Sequence, residues 1–319
     1  MATTEIQPAS AAAPPAQGAR RRWPRLAPYL FLAPAIVLFV LFLLLPIIYT
    51  VYLSLRRVQV SGLGLGPGAR SEVWAGLDNY RDAVTDMELW RGALRVLLYG
   101  GILTPVMLGA ALLFALLLDA QRVRARRFAR ISIFLPYAVP AVTATLMWGF
   151  LYLPAVSPFH YLLEELGLPQ VDLLGRVSVF FSLANIAVWG GTGFNMIVIY
   201  TALRAIPAEI YESARIDGCS ELRIALRIKI PMVMPALIMT TVFSVIATLQ
   251  VFSEPTTLRP LTNSISSTWT PLMKIYRDAF ARDDIYLAAA TSVVIALITL
   301  VLSLGFLRLV QRRAFQDEQ

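Results

Sequence analysis

The sequence predicts an all-α, polytopic membrane protein with six transmembrane helices, on three observations. First, 57% of its 319 residues are hydrophobic and only 15% are charged, less charge than a soluble domain of this length carries. Second, six runs free of Asp, Glu, Lys and Arg recur along the chain: Leu26–Leu55, Val96–Leu118, Ile131–Leu163, Val177–Leu203, Ile230–Ser253 and Ile285–Leu307. Each exceeds the ~20 residues that cross a bilayer as a helix. Third, the basic residues cluster between alternate runs. With a cytoplasmic N-terminus, the inward segments hold Arg20–Arg22 and Arg25, then Arg122–Arg130, then Arg204–Lys229, then Arg308–Arg313, the majority of the 28 basic residues. An even number of spans puts both termini on the cytoplasmic side.

Residues 1–25, rich in Ala, Pro, Thr and Gln without periodicity, read as a disordered tail. The first apolar run is too long for the core of a signal peptide and is an uncleaved span. The external loop after it has a Gly-rich turn, Gly62–Gly68, and then a helix-periodic stretch, Gly76–Leu94, with Tyr80, Val84, Met87 and Trp90 on one face. Pro136 and Pro140 punctuate the third run, and Pro154 and Pro158 end it, leaving an external lip with acids at Glu164, Glu165 and Asp172. Gly190, Gly191 and Gly193 interrupt the fourth run. Such residues face either a closely packed neighbour or a water-filled cavity. Residues 314–319 form a short C-terminal tail.

One polar segment between spans reads as ordered helix: Ile206–Pro235, IPAEIYESARIDGCSELRIALRIKIPMVMP. Pro207 fits a first helical position, with Glu209 and Glu212 in the opening turns. Gly218 breaks that helix and Ser220 caps a second. Leu222, Ala225 and Leu226 share one face of the second helix, and Arg223 and Arg227 another. The pattern resembles the EAA loop of permease subunits of binding-protein-dependent ABC importers: Glu-Ala-Ala, three residues, Gly, nine residues, Ile-x-Leu-Pro. Here Glu212, Ser213 and Ala214 stand for the triplet, Gly218 falls at the required spacing, and Ile228 and Pro231 close the motif. Ser213 and Ile230 are the departures. The resemblance covers the chain from Pro28 onward and is nearest to the maltose and multiple-sugar branch.

The resemblance implies a type I ABC importer permease fold, with a permease domain over residues 26–313 and a coupling loop over 203–235. It implies a translocation path for a carbohydrate or related polyol, in a bacterial inner or plasma membrane. It further implies partners: a second homologous permease, two ATPase subunits carrying ATP and Mg, and an extracytoplasmic solute-binding protein. Glu212, Ser213, Ala214, Asp217, Gly218, Ile228 and Pro231 would couple to the ATPase. Gly191, Phe194, Asn195, Gln250, Ser253 and Glu254 would line the solute path. Asn185, Trp189 and Tyr200 are further polar or aromatic groups on the fourth run. The family's Thr-Gly-Gly-Pro turn after the fifth span is replaced here by Glu254–Pro271, which leaves the solute open. A glycerophosphodiester or amino-sugar importer is the alternative.

Other classes fit less well. The chain has no GxxxxGK followed by Ser or Thr, so it has no means of its own to hydrolyse ATP and is expected to be non-catalytic, with no bound cofactor. One Cys and one His make neither a disulfide nor a metal site. The net charge of +8 sits at span ends, where it matches lipid headgroups and topology signals, not a nucleic-acid module. A stand-alone secondary transporter needs coupling acids inside its spans, and the span interiors hold none. A membrane enzyme needs clustered His, Asp or Glu near a membrane face.

Overall fold

The apolar runs become helices for the reason lipid imposes: without water, backbone polar groups must be paired within the segment. The computed structural model describes residues 27–60, 70–120 and 123–314. The predicted N-terminal tail at 1–25, the glycine turn at 62–68, Arg122 and all of the predicted 314–319 tail but Ala314, which is helical, lie outside the described residues.

The chain divides at Tyr49 and Thr50 into two units. The first is the first span, α1 (Ala27–Phe39), a π turn at Val40–Leu44 and the start of α2 (Leu45–Ser54). It is apolar all round, as a lipid-facing helix is, with Phe31, Ile36 and Phe42 exposed.

The second unit opens on an antiparallel hairpin, β1 (Arg56–Val60) and β2 (Arg70–Trp74), in the register Arg56 to Trp74 through Val60 to Arg70. The sequence predicts a glycine turn and a helical stretch for this loop, without strands. Val58, Val60 and Val73 carry the β preference that the glycines obscure. Asn79 fixes the base of the hairpin: its amide nitrogen donates to the carbonyls of Ser54 (2.8 Å) and Arg56 (2.6 Å). The helical stretch expected over 76–94 is two elements. α3 (Asp78–Thr85) ends at Asp86, whose carboxylate caps α4 (Met87–Asp119) by accepting from the Glu88 N–H at 2.8 Å. The second span therefore begins nine residues before the apolar run, because the cap sets its start and hydropathy does not.

The third run is bent. α5 (Arg126–Phe134) and a 3-10 turn through Ala138 meet α6 (Ala141–Tyr152) at 96°. Among the described residues five helices are long and apolar enough to span a membrane, six where the bent pair counts as one broken span. Pro140 causes the break: it cannot donate to a preceding turn, and Val139 before it is extended. After α7 (Pro158–Glu165), α8 (Ser178–Arg204) runs unbroken, so Gly190, Gly191 and Gly193 do not interrupt it. A glycine costs a helix only ~1 kcal/mol, which packing offsets. A Cβ on Gly193 would collide with the backbone of Ile133 and Phe134, and one on Gly191 would lie 2.5 Å from Met107 Sδ.

The connection to the fifth span holds α9 (Ala208–Ile216), α10 (Glu221–Ile224), a π turn at Ala225–Lys229 and α11 (Ile230–Met232). α12 (Met234–Leu249) and α13 (Ser253–Leu258) make the fifth span, followed by α14 (Pro271–Phe280) and the last span, α15 (Ile285–Ala314). The core lies chiefly between α4 and α8. Tyr99, Leu103, Leu183 and Ile186 form one buried cluster with Leu258 and Trp269; Ala111, Ala115, Met196 and Ile199 form another with Val233.

Candidate functional site

The fifth span breaks at Gln250–Phe252, between α12 and α13. A broken helix leaves backbone polar groups without intrahelical partners, which the bilayer tolerates only beside protein or a cavity. A cavity of about 720 Å³ lies there, bounded by α4, the kink of the third run, α8 and the break itself. The volume is that of a small-molecule site.

All six residues expected along the path line this one cavity: Gly191, Phe194 and Asn195 from α8, and Gln250, Ser253 and Glu254 from the break. Gly190 joins them with nothing within 4 Å of a built Cβ, so it faces open space, while Gly193 serves close packing. Phe194 stacks on Tyr137, centroids 5.0 Å apart. Asn195 is 5% exposed, and its amide nitrogen donates to the Gly191 carbonyl at 3.0 Å. Asn185, Trp189 and Tyr200 are elsewhere. Asn185 donates to the Tyr152 hydroxyl at 2.8 Å, Trp189 packs edge-on to Trp148, and Tyr200 lies under the Arg130 guanidinium. Sequence reasoning missed Tyr137, Met107 and Phe252, which also line the cavity. The prolines flanking Tyr137 were the available signal, since a kink there must face protein or a cavity.

The polar segment forms the helix, turn and helix expected. Pro207 is the N-cap of α9 and not its first residue, because its ψ of 138° lies outside the helix. Gly218 turns the chain at φ +77°, a conformation that favours glycine, and Cys219 N–H returns to the Ala214 carbonyl at 3.0 Å. The Ser220 hydroxyl caps α10 by accepting from Arg223 N–H. Across the turn Arg215 Nε donates to Glu221 Oε1 at 2.8 Å, which pushes the Arg215 guanidinium pKa up.

Ala214 is buried and Ile228 half-buried, while Glu212, Ser213, Asp217, Gly218 and Pro231 are exposed. Leu222 and Leu226, placed by periodicity on one apolar face, are 70% and 56% exposed, as is Ile216 at 87%; Ile224 is the residue that faces inward. The π turn then carries Lys229 into the interior. Its ammonium donates to Asp119 Oδ2 at 2.6 Å, with both side chains nearly buried, and sits 4.9 Å from the centre of the Tyr211 ring. This pair joins the polar segment to the end of α4, and the sequence gives no sign of it. Among the described residues no group of His, Cys, Asp or Glu is arranged to hold a metal.

Apolar spans, a break that opens a cavity inside them and a helical pair held at one end define a multi-pass membrane permease. The chain belongs to the family described as binding-protein-dependent transport system inner membrane component, whose model matches residues 90–316. It is similar to the sn-glycerol-3-phosphate transport system permease protein UgpA of Agrobacterium fabrum, 30% identical over 294 residues, covering 91% of this chain and 96% of that protein. The protein of that name in Escherichia coli UTI89 is 28% identical, covering 92% and 96%. Among solved structures, a bacterial ABC transporter that imports the acidic polysaccharide alginate aligns with a TM-score of 0.75 at 22% identity, covering 89% of this chain and 94% of that one. The alginate transporter in complex with its pentasaccharide-bound periplasmic protein gives 0.76 at 21%, covering 90% and 94%. These two structures establish the fold, a type I ABC importer permease.

Proposed function

We propose that this permease forms one half of the path by which a carbohydrate or related polyol crosses a bacterial inner or plasma membrane, and that α9 and α10 couple the path to a separate ATPase. The observation that carries the reading is the break at Gln250–Phe252, which brings six separately expected residues to one cavity. Phe194 and Tyr137 offer aromatic faces for sugar rings, and Gln250, Ser253 and Glu254 offer hydrogen-bonding groups, the usual make-up of such a pocket. The solutes in the relatives' names, sn-glycerol 3-phosphate and the acidic polysaccharide alginate, are both hydroxyl-bearing, which supports a carbohydrate or polyol backbone and leaves the charge to this chain's own lining.

The coupling reading is supported by exposed apolar side chains at Ile216, Leu222 and Leu226 beside Glu212 and Asp217. Such a face is suited to burial in a groove of another subunit. The ATPase, holding ATP and Mg, supplies the energy. Its closure moves the helical pair as a rigid body, and the spans alternate between inward and outward access. A second permease, a second ATPase copy and an extracytoplasmic binding protein complete the machine. Both termini and the coupling loop face the cytoplasm, and this chain hydrolyses no ATP.

Uptake and ATPase rate of the complete complex in proteoliposomes test both halves. Phe194→Ala lowers uptake with assembly intact if the cavity is the path. Glu212→Ala and Gly218→Asp lower uptake by loosening or uncoupling the ATPase. Normal transport and normal subunit content in both loop variants refute the coupling role, and normal transport in Phe194→Ala refutes the path.

A further inference from the structure

We infer that the cavity selects against anions: its solute carries hydrogen-bond donors and no negative charge, a neutral polyhydroxy or amine-bearing carbohydrate and not a phosphate or carboxylate one. This deepens the reading of the cavity as the path and rests on it.

Two observations converge. Among the described residues no Arg, Lys or His lines the cavity, and its one formally charged side chain is Glu254. Among the described residues Glu254 makes no ion pair, so no cation offsets its charge toward the cavity. The lining holds donors as well as acceptors, the Gln250 amide and the Ser253 hydroxyl among them, so charge and not hydrogen bonding sets the preference.

An anion is held by a lining that carries cations, a guanidinium above all. A sugar hydroxyl donates to the Glu254 carboxylate at no cost in charge, and a protonated amine gains from that carboxylate and from the faces of Phe194 and Tyr137. Desolvated beside an unpaired carboxylate, with no cation in the described lining, a phosphate would be repelled.

The test reads the charge preference of the cavity directly. In the complete complex with Cys219→Ala, a cysteine replaces Ser253, and its reaction with three methanethiosulfonates is followed by mass spectrometry. One reagent carries trimethylammonium, one sulfonate and one a neutral hydroxyl, and each rate is normalised to that reagent's rate with a free thiol. The cation should outpace the anion by about tenfold or more, the scale that a unit charge within ~10 Å sets at an effective dielectric of ~20. Glu254→Gln should abolish the ratio and Glu254→Arg invert it. Equal rates, or a ratio indifferent to Glu254→Gln, overturn the charge selection while the neutral reagent's access leaves the path reading standing. Failure of all three reagents to react overturns both. Protection of the cysteine by maltotriose assigns a hydroxyl solute, and protection by a glucosamine trisaccharide alone assigns an amine. Protection by sn-glycerol 3-phosphate that survives in Glu254→Gln overturns the proposal.

Discussion

The two ends of α4 are each held by a buried lysine, and they are held differently. At the start, Lys274 of α14 bonds Asp86 at 2.8 Å and Asp278 at 2.5 Å. Arg277 joins Asp278 at 2.8 Å to Glu88 at 2.7 Å, and Arg282 approaches Asp278 at 3.6 Å. Three cations and three carboxylates thus share one balanced network. At the far end Lys229 has one carboxylate, Asp119. The first arrangement is redundant, since each central charge keeps a partner when another is lost. The second is not. Taking two ions from water is expensive, and removing one partner strands the other. A redundant anchor suits a fixed element; a single bond suits a joint between α4 and the segment proposed to couple to the ATPase.

The largest expected effect comes from breaking the single pair. Asp119→Ala should destabilise the complex by ~3–5 kcal/mol, because Lys229 stays buried and unpaired. Asp119→Leu combined with Lys229→Met should recover most of that loss, as buried pairs replaced by apolar residues often do. Thermal unfolding of the complex measures both. A double variant as unstable as the single one would falsify the explanation by a stranded charge.

Cutting the network should cost less. Asp278→Asn removes a carboxylate with three cationic neighbours, yet Lys274 keeps Asp86 and Arg277 keeps Glu88. We expect ~1–3 kcal/mol, the range for an imperfectly satisfied buried group. A loss equal to that of Asp119→Ala would mean that redundancy confers nothing here.

Gly218→Ala sharpens the comparison from the coupling side. The left-handed turn should cost ~1–2 kcal/mol, leaving the network at the other end of α4 untouched. The check is hydrogen exchange, which should rise in α9 and α10 and stay unchanged in α14; equal loosening at both ends would argue against separate anchors.

The smallest effect is with pH. Burial raises the Asp86 pKa, but the hydrogen bond from Lys274, that from the Glu88 N–H and the charges of Lys274 and Arg277 outweigh it, so the pKa lies below the ordinary 3.8. A carboxylate lowered in the folded state adds stability that is complete above its unfolded pKa and is lost as pH falls through the folded one. The stability gap between the native chain and Asp86→Asn should therefore stay constant from neutral pH down to that range and close only below 3.8. A gap that closes between pH 7 and 5 would show that Asp86 is not held this way.

The sequence by itself determined what depends on solvent and local geometry. Long uncharged runs must be helices in lipid, the Gly218 spacing demands a turn, and Ser220 caps whatever follows it. Those rules act over a few residues, so the spans and the helix, turn and helix of 206–235 were legible, to within the caps at Asp86 and Pro207 that shift their starts. Tertiary structure decided the rest. That Gly193 packs against backbone while Gly190 faces a cavity depends on where the kinked third run lies, since a glycine's sequence does not say what approaches it. That Lys229, one more basic residue by composition, is buried on Asp119 depends on a π turn and on a partner 110 residues away. That Glu254 meets no cation among the described residues of the lining depends on four separate segments meeting. Periodicity reports which face is apolar; only packing decides what each face meets.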